Sequence, residues 1–352
     1  MVLQTLRLQN FRSYSDASFE FDNGVNIVVG PNGSGKTNLL EALQVLCFGN
    51  SFRGSDSDLI QFEKPWARLD SYDEKGQRIV KLQRQLQTVT KNFTLYEKPF
   101  KRLLKKHKLP IILFEPNHLR LLTGSPELRR ELLDTILEQI EPGFSDVRRR
   151  YQRTLAQRNS LLKHIDTQDS QLFAWNIRLS DLGGQLAAAR IRLIEKLNDS
   201  ASTIYQKLSH SPKTSLELTY QSTCKTSQYS SSFLHILERQ QELDIARGFT
   251  GSGPHRDDVI ISLNNQPAQQ TASRGETRSI ALTLKIIELR LVEQVLGQKP
   301  ILLLDDVFSE LDGSRRRALT GAIKGYQTFI TTTDADIVVQ HFMDECTIIP
   351  LG

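Results

Sequence analysis

The chain has 352 residues, of which 39% are hydrophobic and 24% are charged, which suits one large or two modest globular domains. No apolar run approaches the roughly 20 residues of a membrane-spanning helix, and the N-terminus lacks the basic start and apolar block of a signal peptide. The three cysteines lie far apart, which disfavours a disulfide framework or a zinc site. We therefore expect a cytoplasmic protein, and its net charge of +5 is a mild bias towards anionic partners.

The first predicted elements are short strands within residues 2–29, and the last of these strands leads into a glycine-rich stretch. That stretch, Gly30-Pro31-Asn32-Gly33-Ser34-Gly35-Lys36-Thr37, matches the Walker A pattern at every fixed position. Apolar residues then recur at helical spacing up to Phe48. A strand, a glycine loop and a helix in this order favour a phosphate-binding loop over a glycine-rich turn that binds no ligand.

The residue types of this loop predict ATP and Mg²⁺ as cofactors. Glycines let backbone N–H groups point at phosphate oxygens, and the start of the helix adds its positive dipole end. Lys36 should reach the β- and γ-phosphates, and the Thr37 hydroxyl should ligate Mg²⁺. The predicted nucleotide contacts in this stretch are Gly30, Pro31, Asn32, Gly33, Ser34, Gly35, Lys36, Thr37 and Asn38.

Beyond this helix the pattern changes twice before residue 245. Residues 66–100 are predicted to form a meander of short strands, followed by a basic cluster at residues 101–108. Residues 126–140, 145–165 and 169–209 carry helical periodicity, and Gly183-Gly184 is a potential bend in the longest helix. A second basic stretch runs from Arg148 to Arg158. Each basic stretch is either a solvated face or a contact surface for DNA.

The last hundred residues return to an α/β pattern and contain a second part of the nucleotide site. Ile301–Leu304 is an apolar strand followed by Asp305 and Asp306, which is typical of a Walker B motif. Asp305 is the predicted Mg²⁺ partner, and Asp306 is placed to polarise the attacking water. An acidic pair that merely caps a strand is the alternative, which the upstream Walker A loop disfavours.

A second phosphate-binding design precedes the helix predicted at residues 277–296. Ser273 and Gly275 offer a hydroxyl and a close backbone approach at a helix N-terminus. Because the Walker loop already serves one face of a nucleotide, a second such feature predicts a nucleotide held between two subunits.

These motifs, in this order and followed by Ser309-Glu310-Leu311-Asp312, resemble an ABC-type, SMC-like P-loop ATPase head with a helical insertion lobe. More specifically, the chain is similar to the RecF family from end to end. The stretches that carry the resemblance are Leu8-x-x-Phe11-Arg12-x-Tyr14, Gly124-Ser125-Pro126 with Arg129-Arg130 and Asp134, Gly253-Pro254-His255-Arg256-Asp257-Asp258, and Leu304 to Asp312.

The resemblance implies a DNA-binding, weakly active and DNA-stimulated ATPase of DNA replication and recombinational repair. Such a protein acts at gapped or junction DNA and cooperates with RecO and RecR in loading RecA. Arg12 would touch a phosphate near the adenine end of the pocket. Ser273 and Gly275 would contact the γ-phosphate bound by the other subunit of an ATP-dependent homodimer. Lys36 and Asp306 would be the catalytic residues.

Three features depart from the pattern of the family and its relatives. The segment after Phe114 is Glu115-Pro116-Asn117-His118-Leu119, where an acidic pair after the proline is usual. Glu276 stands where glutamine is usual, so a negative charge would lie near the γ-phosphate of the other subunit and weaken the closed dimer. Asp306 stands where most ABC ATPases have glutamate, and the shorter side chain predicts slow hydrolysis.

Two other classes of protein use a Walker loop. The ATPase subunit of a transporter usually has a full Leu-Ser-Gly-Gly-Gln signature, and a small-molecule kinase needs no second phosphate-binding feature. ATP-driven dimerisation and an ATP-dependent gel shift of DNA would separate the three. The expected fold is α/β, with an ATPase lobe of residues 1–120 and 245–352 and a helical lobe of residues 121–244.

Overall fold

The computed structural model describes residues 2–86, 88–163, 169–342 and 346–352, without the side chains of residues 169–171 and 337. The chain forms two compact units. We call Met1–Asn117 with Glu288–Gly352 the sheet unit and His118–Ile287 the helical unit. Residues 245–287 thus lie with the helices, beyond the expected boundary at 244. Strand pairing within the helical unit accounts for this placement, and the functional assignment of the lobes stays a prediction.

The elements are numbered in chain order over the described residues. The strands are β1 (Leu3–Phe11), β2 (Tyr14–Glu20), β3 (Val25–Val29), β4 (Trp66–Asp73), β5 (Gly76–Gln85), β6 (Thr88–Leu95), β7 (Lys98–Phe100), β8 (Ile111–Phe114), β9 (Leu216–Gln221), β10 (Asp258–Leu263), β11 (Gln266–Pro267), β12 (Ile301–Asp305), β13 (Thr328–Thr332) and β14 (Cys346–Pro350). The helices are α1 (Lys36–Phe48), α2 (Pro126–Ile140), α3 (Phe144–Leu162), α4 (Asp169–Ser209), α5 (Tyr229–Arg239), α6 (Gln241–Arg247), α7 (Ala268–Thr271), α8 (Arg274–Leu296), α9 (Val307–Glu310), α10 (Gly313–Ile323) and α11 (Ala335–Phe342).

The sheet unit contains two sheets. One is antiparallel, in the order β2-β1-β4-β5-β6-β7, and the other is parallel, in the order β14-β3-β13-β12-β8. In β4 the burial of side chains alternates along the strand, as expected for a sheet with one face in water. Strand β12 is instead buried over four consecutive apolar residues, as expected for a parallel strand covered on both faces.

Helix α1 lies between the two sheets and contacts strands of both. Ten of its thirteen residues are buried, so its burial pattern is not that of a surface helix. The helix ends at Gly49, whose left-handed backbone (φ 94°) lets its N–H donate to the carbonyl of Val45. Because α1 is embedded in this core, the loop that precedes it is held firmly at its helical end.

The helical unit is built around α4, whose 41 residues span about 60 Å at the usual rise per residue. Helices α3 and α5 pack along α4, and so does β9 of a three-stranded sheet ordered β11-β10-β9. The pairing of β10 with β9 is antiparallel and runs over six residue pairs. This pairing attaches residues 258–263 to the helical unit.

Gly183 and Gly184 lie within α4, which continues through both of them. A Cβ on Gly183 would lie 2.9 Å from the ring of Phe233, and one on Gly184 would overlap the hydroxyl of Ser230. Gly253 (φ 118°) likewise leaves no room for a Cβ beside the Phe233 ring. These glycines therefore allow α5 and the segment after it to approach α4 closely.

The segment Gly253–Asp258 connects several elements of the helical unit. Asp258 accepts two hydrogen bonds from Arg129 of α2, at 2.8 and 2.9 Å. Asp257 accepts from the hydroxyls of Tyr220 and Tyr229, at 2.8 and 2.5 Å. The carbonyl of Pro254 accepts from Arg190 of α4, at 2.6 Å. This motif, to which the sequence assigned no role, thus joins α2, α4, β9 and α5.

Candidate nucleotide-binding site

The loop between β3 and α1 depends on its glycines. Gly33 (φ 87°) and Gly35 (φ 100°) have left-handed backbone conformations, which glycine adopts without strain. A Cβ on Gly30 would overlap the carbonyl oxygen of Leu351. The Leu351 N–H donates to the carbonyl of Val29 at 2.7 Å, so the chain after β14 fixes one wall of the loop.

The interior of the loop is positively charged. The Lys36 Nζ donates to the carbonyls of Gly30 and Pro31, at 2.6 and 2.8 Å, and the residue is only 9% exposed. The Ser34 Oγ is buried and has no hydrogen-bond partner among the described residues. A buried hydroxyl without a partner carries an energetic cost, which a phosphate oxygen would remove. The loop therefore fits a phosphate group.

The Thr37 hydroxyl of Walker A contacts the Asp305 carboxylate of Walker B. Thr37 Oγ1 lies 3.0 Å from each carboxylate oxygen of Asp305. Strand β13 lies between β3 and β12, and its Thr331 donates to Asp305 Oδ1 at 2.7 Å. Hydroxyl and carboxylate oxygens suit Mg²⁺, which proteins commonly bind through one or two side chains together with substrate phosphates. Among the described residues no group of three His, Cys, Asp or Glu could hold a metal ion alone.

Asp306 is held next to this junction in an uncommon backbone conformation. Its φ is 50°, in the left-handed region that residues other than glycine rarely adopt. Its N–H donates to Thr331 Oγ1 at 2.9 Å, and its Oδ1 accepts from the Ser309 hydroxyl at 2.9 Å. The side chain is partly exposed, so its carboxylate can accept a hydrogen bond from a water molecule at the edge of the site.

Arg12 forms an ion pair with Glu41 of α1. Arg12 Nε and Nη2 donate to the two Glu41 carboxylate oxygens, at 2.8 and 2.7 Å. Glu41 is fully buried and also accepts from the Ser51 hydroxyl at 2.5 Å. One edge of the guanidinium is thus fixed against α1, and 21% of the Arg12 side chain is exposed. Its contact with a nucleotide phosphate stays a prediction.

The segment after Arg12 also touches the loop. The Asn38 amide donates to the Ser13 hydroxyl at 2.9 Å, and the Tyr14 hydroxyl donates to the carbonyl of Gly35 at 3.1 Å. Asn38, predicted to contact the nucleotide, therefore joins α1 to the β1–β2 turn. Pro31 and Asn32 are exposed at the outer turn of the loop.

Ser273 and Gly275 lie in the helical unit, at the start of α8. The Ser273 N–H donates to a Glu276 carboxylate oxygen at 2.8 Å, and the Glu276 N–H donates to the Ser273 hydroxyl oxygen at 3.2 Å. This reciprocal pair is a capping box, which satisfies two backbone donors at the helix start. Glu276 therefore stabilises the start of the helix whose N-terminus was predicted to receive a phosphate. The contact of Ser273 and Gly275 with a second subunit's nucleotide stays a prediction.

The basic residues considered for DNA contact fall into two groups. In the sheet unit Lys105 and Lys106 are exposed, whereas Lys108 is partly buried with its Nζ 3.6 Å from the centre of the Phe48 ring. In the helical unit Arg158 is fully buried, and Arg148 pairs with Glu131, Asp134 and Glu138. The half-exposed Arg149, paired with Asp146, and the exposed Arg150 and Arg153 are accessible members of this stretch.

Sequence reasoning missed Thr331, Glu41 and Leu351 as parts of this site. Thr331 and Leu351 follow apolar strand residues, and Glu41 occupies one turn of an apolar helix. No local pattern distinguishes these residues from ordinary members of a strand or a helix. Their roles arise from contacts with residues far away along the chain.

Comparison with known proteins agrees with this geometry. A family model described as an AAA domain matches residues 5–248. The DNA replication and repair protein RecF of Heliobacterium modesticaldum is 36% identical over 95% of this chain and 92% of its own length. The chain belongs to the RecF family.

Solved structures extend this assignment to the fold. A RecF solved with ATP, described as a recombination mediator protein of the RecFOR pathway, is 29% identical, with a TM-score of 0.84 over 94% of this chain and 92% of that one. An Smc head bound to the C-winged helix domain of ScpA is 17% identical, with a TM-score of 0.53 over 99% of this chain and 93% of that one. The chain is therefore an ABC-type P-loop ATPase of the RecF family, with the fold shared by SMC heads. None of its described helices is long and apolar enough to cross a membrane.

Proposed function

We propose that this protein is an ATP-driven switch of DNA replication and recombinational repair. Mg²⁺–ATP binds at the Walker loop and pairs two copies of the chain, and the pair binds duplex DNA next to a single-stranded gap. Slow, DNA-stimulated hydrolysis then releases the pair. The observation that carries the nucleotide part is the 3.0 Å junction of Thr37 with Asp305, beside a loop that holds the Lys36 ammonium.

The names of its relatives support the DNA part of this proposal. The Heliobacterium relative is named a DNA replication and repair protein, and the RecF solved with ATP is placed in the RecFOR pathway. We propose that this chain likewise works with RecO and RecR to load RecA at gapped or junction DNA. Its net charge of +5 and the exposed Lys105 and Lys106 suit a polyanionic partner.

The residues of the sheet unit suggest how ATP hydrolysis proceeds. The Lys36 ammonium neutralises charge on the β- and γ-phosphates, and Asp306 orients a water molecule towards the γ-phosphate. When bound, Mg²⁺ would neutralise further phosphate charge, and Thr37 and Asp305 are the residues to hold it. The Asp306 side chain is short and held by Ser309 at 2.9 Å, which limits its reach towards the water and agrees with slow turnover.

Hydrolysis is tested with Asp306→Asn and, as a control, Asp336→Asn, which changes an exposed carboxylate of the same unit. We expect the Asp306 variant to bind Mg²⁺–ATP and to dimerise normally, with phosphate release reduced about a hundredfold, a typical contribution of a positioned acid or base. Single-turnover phosphate release measures this. Turnover at the parent rate would remove Asp306 from the mechanism.

Dimerisation and DNA binding are tested together by sizing and by gel shift of gapped duplex DNA, with and without ATP. The parent should dimerise with ATP and shift the DNA. Ser273→Arg should bind ATP but stay monomeric, whereas Ser231→Arg, an exposed change in the same unit, should behave like the parent. An ATP-driven dimer of the Ser273 variant would contradict the proposed contact between subunits.

Salt provides the test of the DNA contact. Each phosphate contact should add about 0.9 to the slope of log affinity against log salt. Charge reversal at Lys105 with Lys106, or at Arg149 with Arg153, should lower both the affinity and the slope without changing ATP binding. A DNA affinity indifferent to ATP and to salt would contradict the proposed ATP-dependent contact with the DNA backbone.

A further inference from the structure

We infer that Thr331 is a positioning residue of the nucleotide site, because one hydroxyl joins the side chain of Asp305 to the backbone of Asp306. Thr331 belongs to none of the nucleotide-binding motifs, and it is fully buried in β13. The inference rests on the proposed function, since it assumes that Asp305 serves a bound Mg²⁺–nucleotide complex.

The strand register explains why this residue reaches both carboxylate residues. Thr331 is paired with Asp305 on one side and with Val28 of β3 on the other. It therefore lies between the strand that precedes the Walker A loop and the strand that ends in Walker B. In a parallel sheet the carboxyl ends of neighbouring strands lie at the same edge, where ligands of such folds bind.

The Thr331 hydroxyl both donates and accepts a hydrogen bond. It donates to Asp305 Oδ1 at 2.7 Å and accepts from the Asp306 N–H at 2.9 Å. A threonine hydroxyl has one donor and two acceptor sites, so a single oxygen satisfies both neighbours. Valine has the same shape but neither capacity, and serine has both.

For Asp305, this contact sets the orientation of the carboxylate. Oδ1 accepts from Thr331 and Thr37, whereas Oδ2 accepts only from Thr37 among the described residues. Thr331 therefore fixes one oxygen and leaves the other as the less engaged acceptor. Residues that orient metal-binding side chains in this way typically change metal affinity or activity by about 10- to 100-fold when removed.

For Asp306, the contact supports a backbone that would otherwise be unfavourable. A φ of 50° is costly for a residue other than glycine and persists where the surroundings determine it. The hydrogen bond from its N–H to Thr331, together with the Ser309 contact to its side chain, does so here. Thr331 thus links the position of Asp305, the predicted Mg²⁺ ligand, to that of Asp306, the residue proposed to orient the water.

The experiment compares Thr331→Val and Thr331→Ser with Thr328→Val. Thr328 is equally buried in the same strand, and its hydroxyl donates to the carbonyl of Tyr326 at 3.1 Å. Binding of a fluorescent ATP analogue is measured while Mg²⁺ is titrated, and again in EDTA. Thermal unfolding and phosphate release are followed in parallel.

We expect Thr331→Val to raise the Mg²⁺ concentration for half-maximal stimulation of nucleotide binding about 10- to 100-fold, with unchanged affinity in EDTA. Turnover at saturating Mg²⁺ should also fall, because Asp306 loses its support. Thr331→Ser should restore both values, and Thr328→Val should alter unfolding without altering the Mg²⁺ dependence.

Equal Mg²⁺ dependence in the parent and in Thr331→Val would overturn the inference and leave the proposed function standing. The inference would also fail if Thr328→Val shifted the Mg²⁺ dependence as much as Thr331→Val, because the effect would then come from general loosening of β13. If the parent itself bound nucleotide without any Mg²⁺ dependence, the proposed Mg²⁺ role of Thr37 and Asp305 would fail, and the inference would fail with it.

Discussion

The nucleotide site of the sheet unit and the core of the helical unit use charged residues in opposite ways. In the sheet unit, Lys36, Asp305 and Asp306 lie where parallel strands end and α1 begins, and their partners are hydroxyls and carbonyls. In the helical unit, Arg158 pairs with Asp244 and Arg190 pairs with Asp134, and all four side chains are at most 5% exposed. Charges partnered only by neutral groups can bind a charged ligand, whereas buried ion pairs use their charges to hold the fold.

This comparison explains why two motifs that both indicate the family have different roles in the folded chain. The Walker A loop and the segment Gly253–Asp258 both combine glycine with charged residues, and Walker B ends in two aspartates. The first set surrounds a loop in which the buried Ser34 hydroxyl has no hydrogen-bond partner within the part of the chain that the structure describes. The second has both of its aspartates satisfied by Arg129 and by two tyrosines. A motif shared with a family is therefore evidence that the chain belongs to that family. Its contacts in the folded chain decide whether the motif binds a ligand or stabilises the fold.

The largest expected effect comes from breaking one buried pair of the helical unit. Arg158→Ala leaves Asp244 buried without its partner, which typically costs about 3–5 kcal/mol. Arg149→Ala is the matched control, since its pair with Asp146 is half exposed and worth about 0–1 kcal/mol. Chemical denaturation measures both. Similar losses for the two variants would contradict the distinction between buried and exposed pairs.

The next largest effect is expected on ATP binding, at Lys36 in the phosphate-binding loop of the sheet unit. Lys36→Met should weaken ATP binding by about a hundredfold or more, because charge-assisted hydrogen bonds are worth about 1.5–3 kcal/mol each. Its unfolding should change little. Isothermal titration with ATP, with the exposed Lys98→Met as control, measures this. An unchanged ATP affinity would show that Lys36 serves the loop and not the ligand.

A pH effect is expected from His255 in the helical unit. Burial, opposed by a hydrogen bond to the carbonyl of Thr250 and aided by Arg256, Arg130 and Arg190, lowers the pKa of His255 to about 4. The unfolded chain takes up this proton near pH 6.5, so stability is fully present above that pH and falls as pH drops towards 4. The loss is about 3 kcal/mol at most.

This pH effect is measured by comparing unfolding at pH 7 and pH 5 for the parent and for His255→Gln. The exposed His235→Gln is the control. The parent and the control should lose the same stability on acidification, and the His255 variant should lose less. Identical losses in all three proteins would mean that other groups set the acid sensitivity.

The smallest expected effect comes from Glu276 at the exposed start of α8. Glu276→Gln keeps a residue that suits a capping box but removes a negative charge from the start of α8, a change worth about 0.3–1 kcal/mol. If the other subunit's γ-phosphate approaches Ser273, this variant should tighten the ATP-driven dimer about two- to fivefold. Sedimentation of the ATP complex measures the dimer constant. A weaker dimer would show that the cap matters more than the charge.

Much of the nucleotide site was predictable because its signal is local. The Walker A loop lies within eight consecutive residues, and the Walker B strand is five residues long, so spacing alone identifies both. The helices at 126–140 and 169–209 are confirmed as α2 and α4, because long periodic segments bury one face whatever they pack against. The resemblance to the RecF family rested on similarly short stretches, such as Gly253–Asp258 and Leu304 to Asp312, and is confirmed by the relatives.

The order of residues along the chain therefore establishes the local motifs, the helical periodicity and the family. The tertiary structure decides which charged side chains are available to bind a ligand. Arg158 and its partner Asp244 are 86 positions apart, and Thr331 lies 26 positions from Asp305. The Gly183-Gly184 pair could be interpreted as a bend, yet it serves the close approach of α5. Pattern and propensity act over a few residues, whereas burial, ion pairing and close packing depend on partners that only the folded chain brings together.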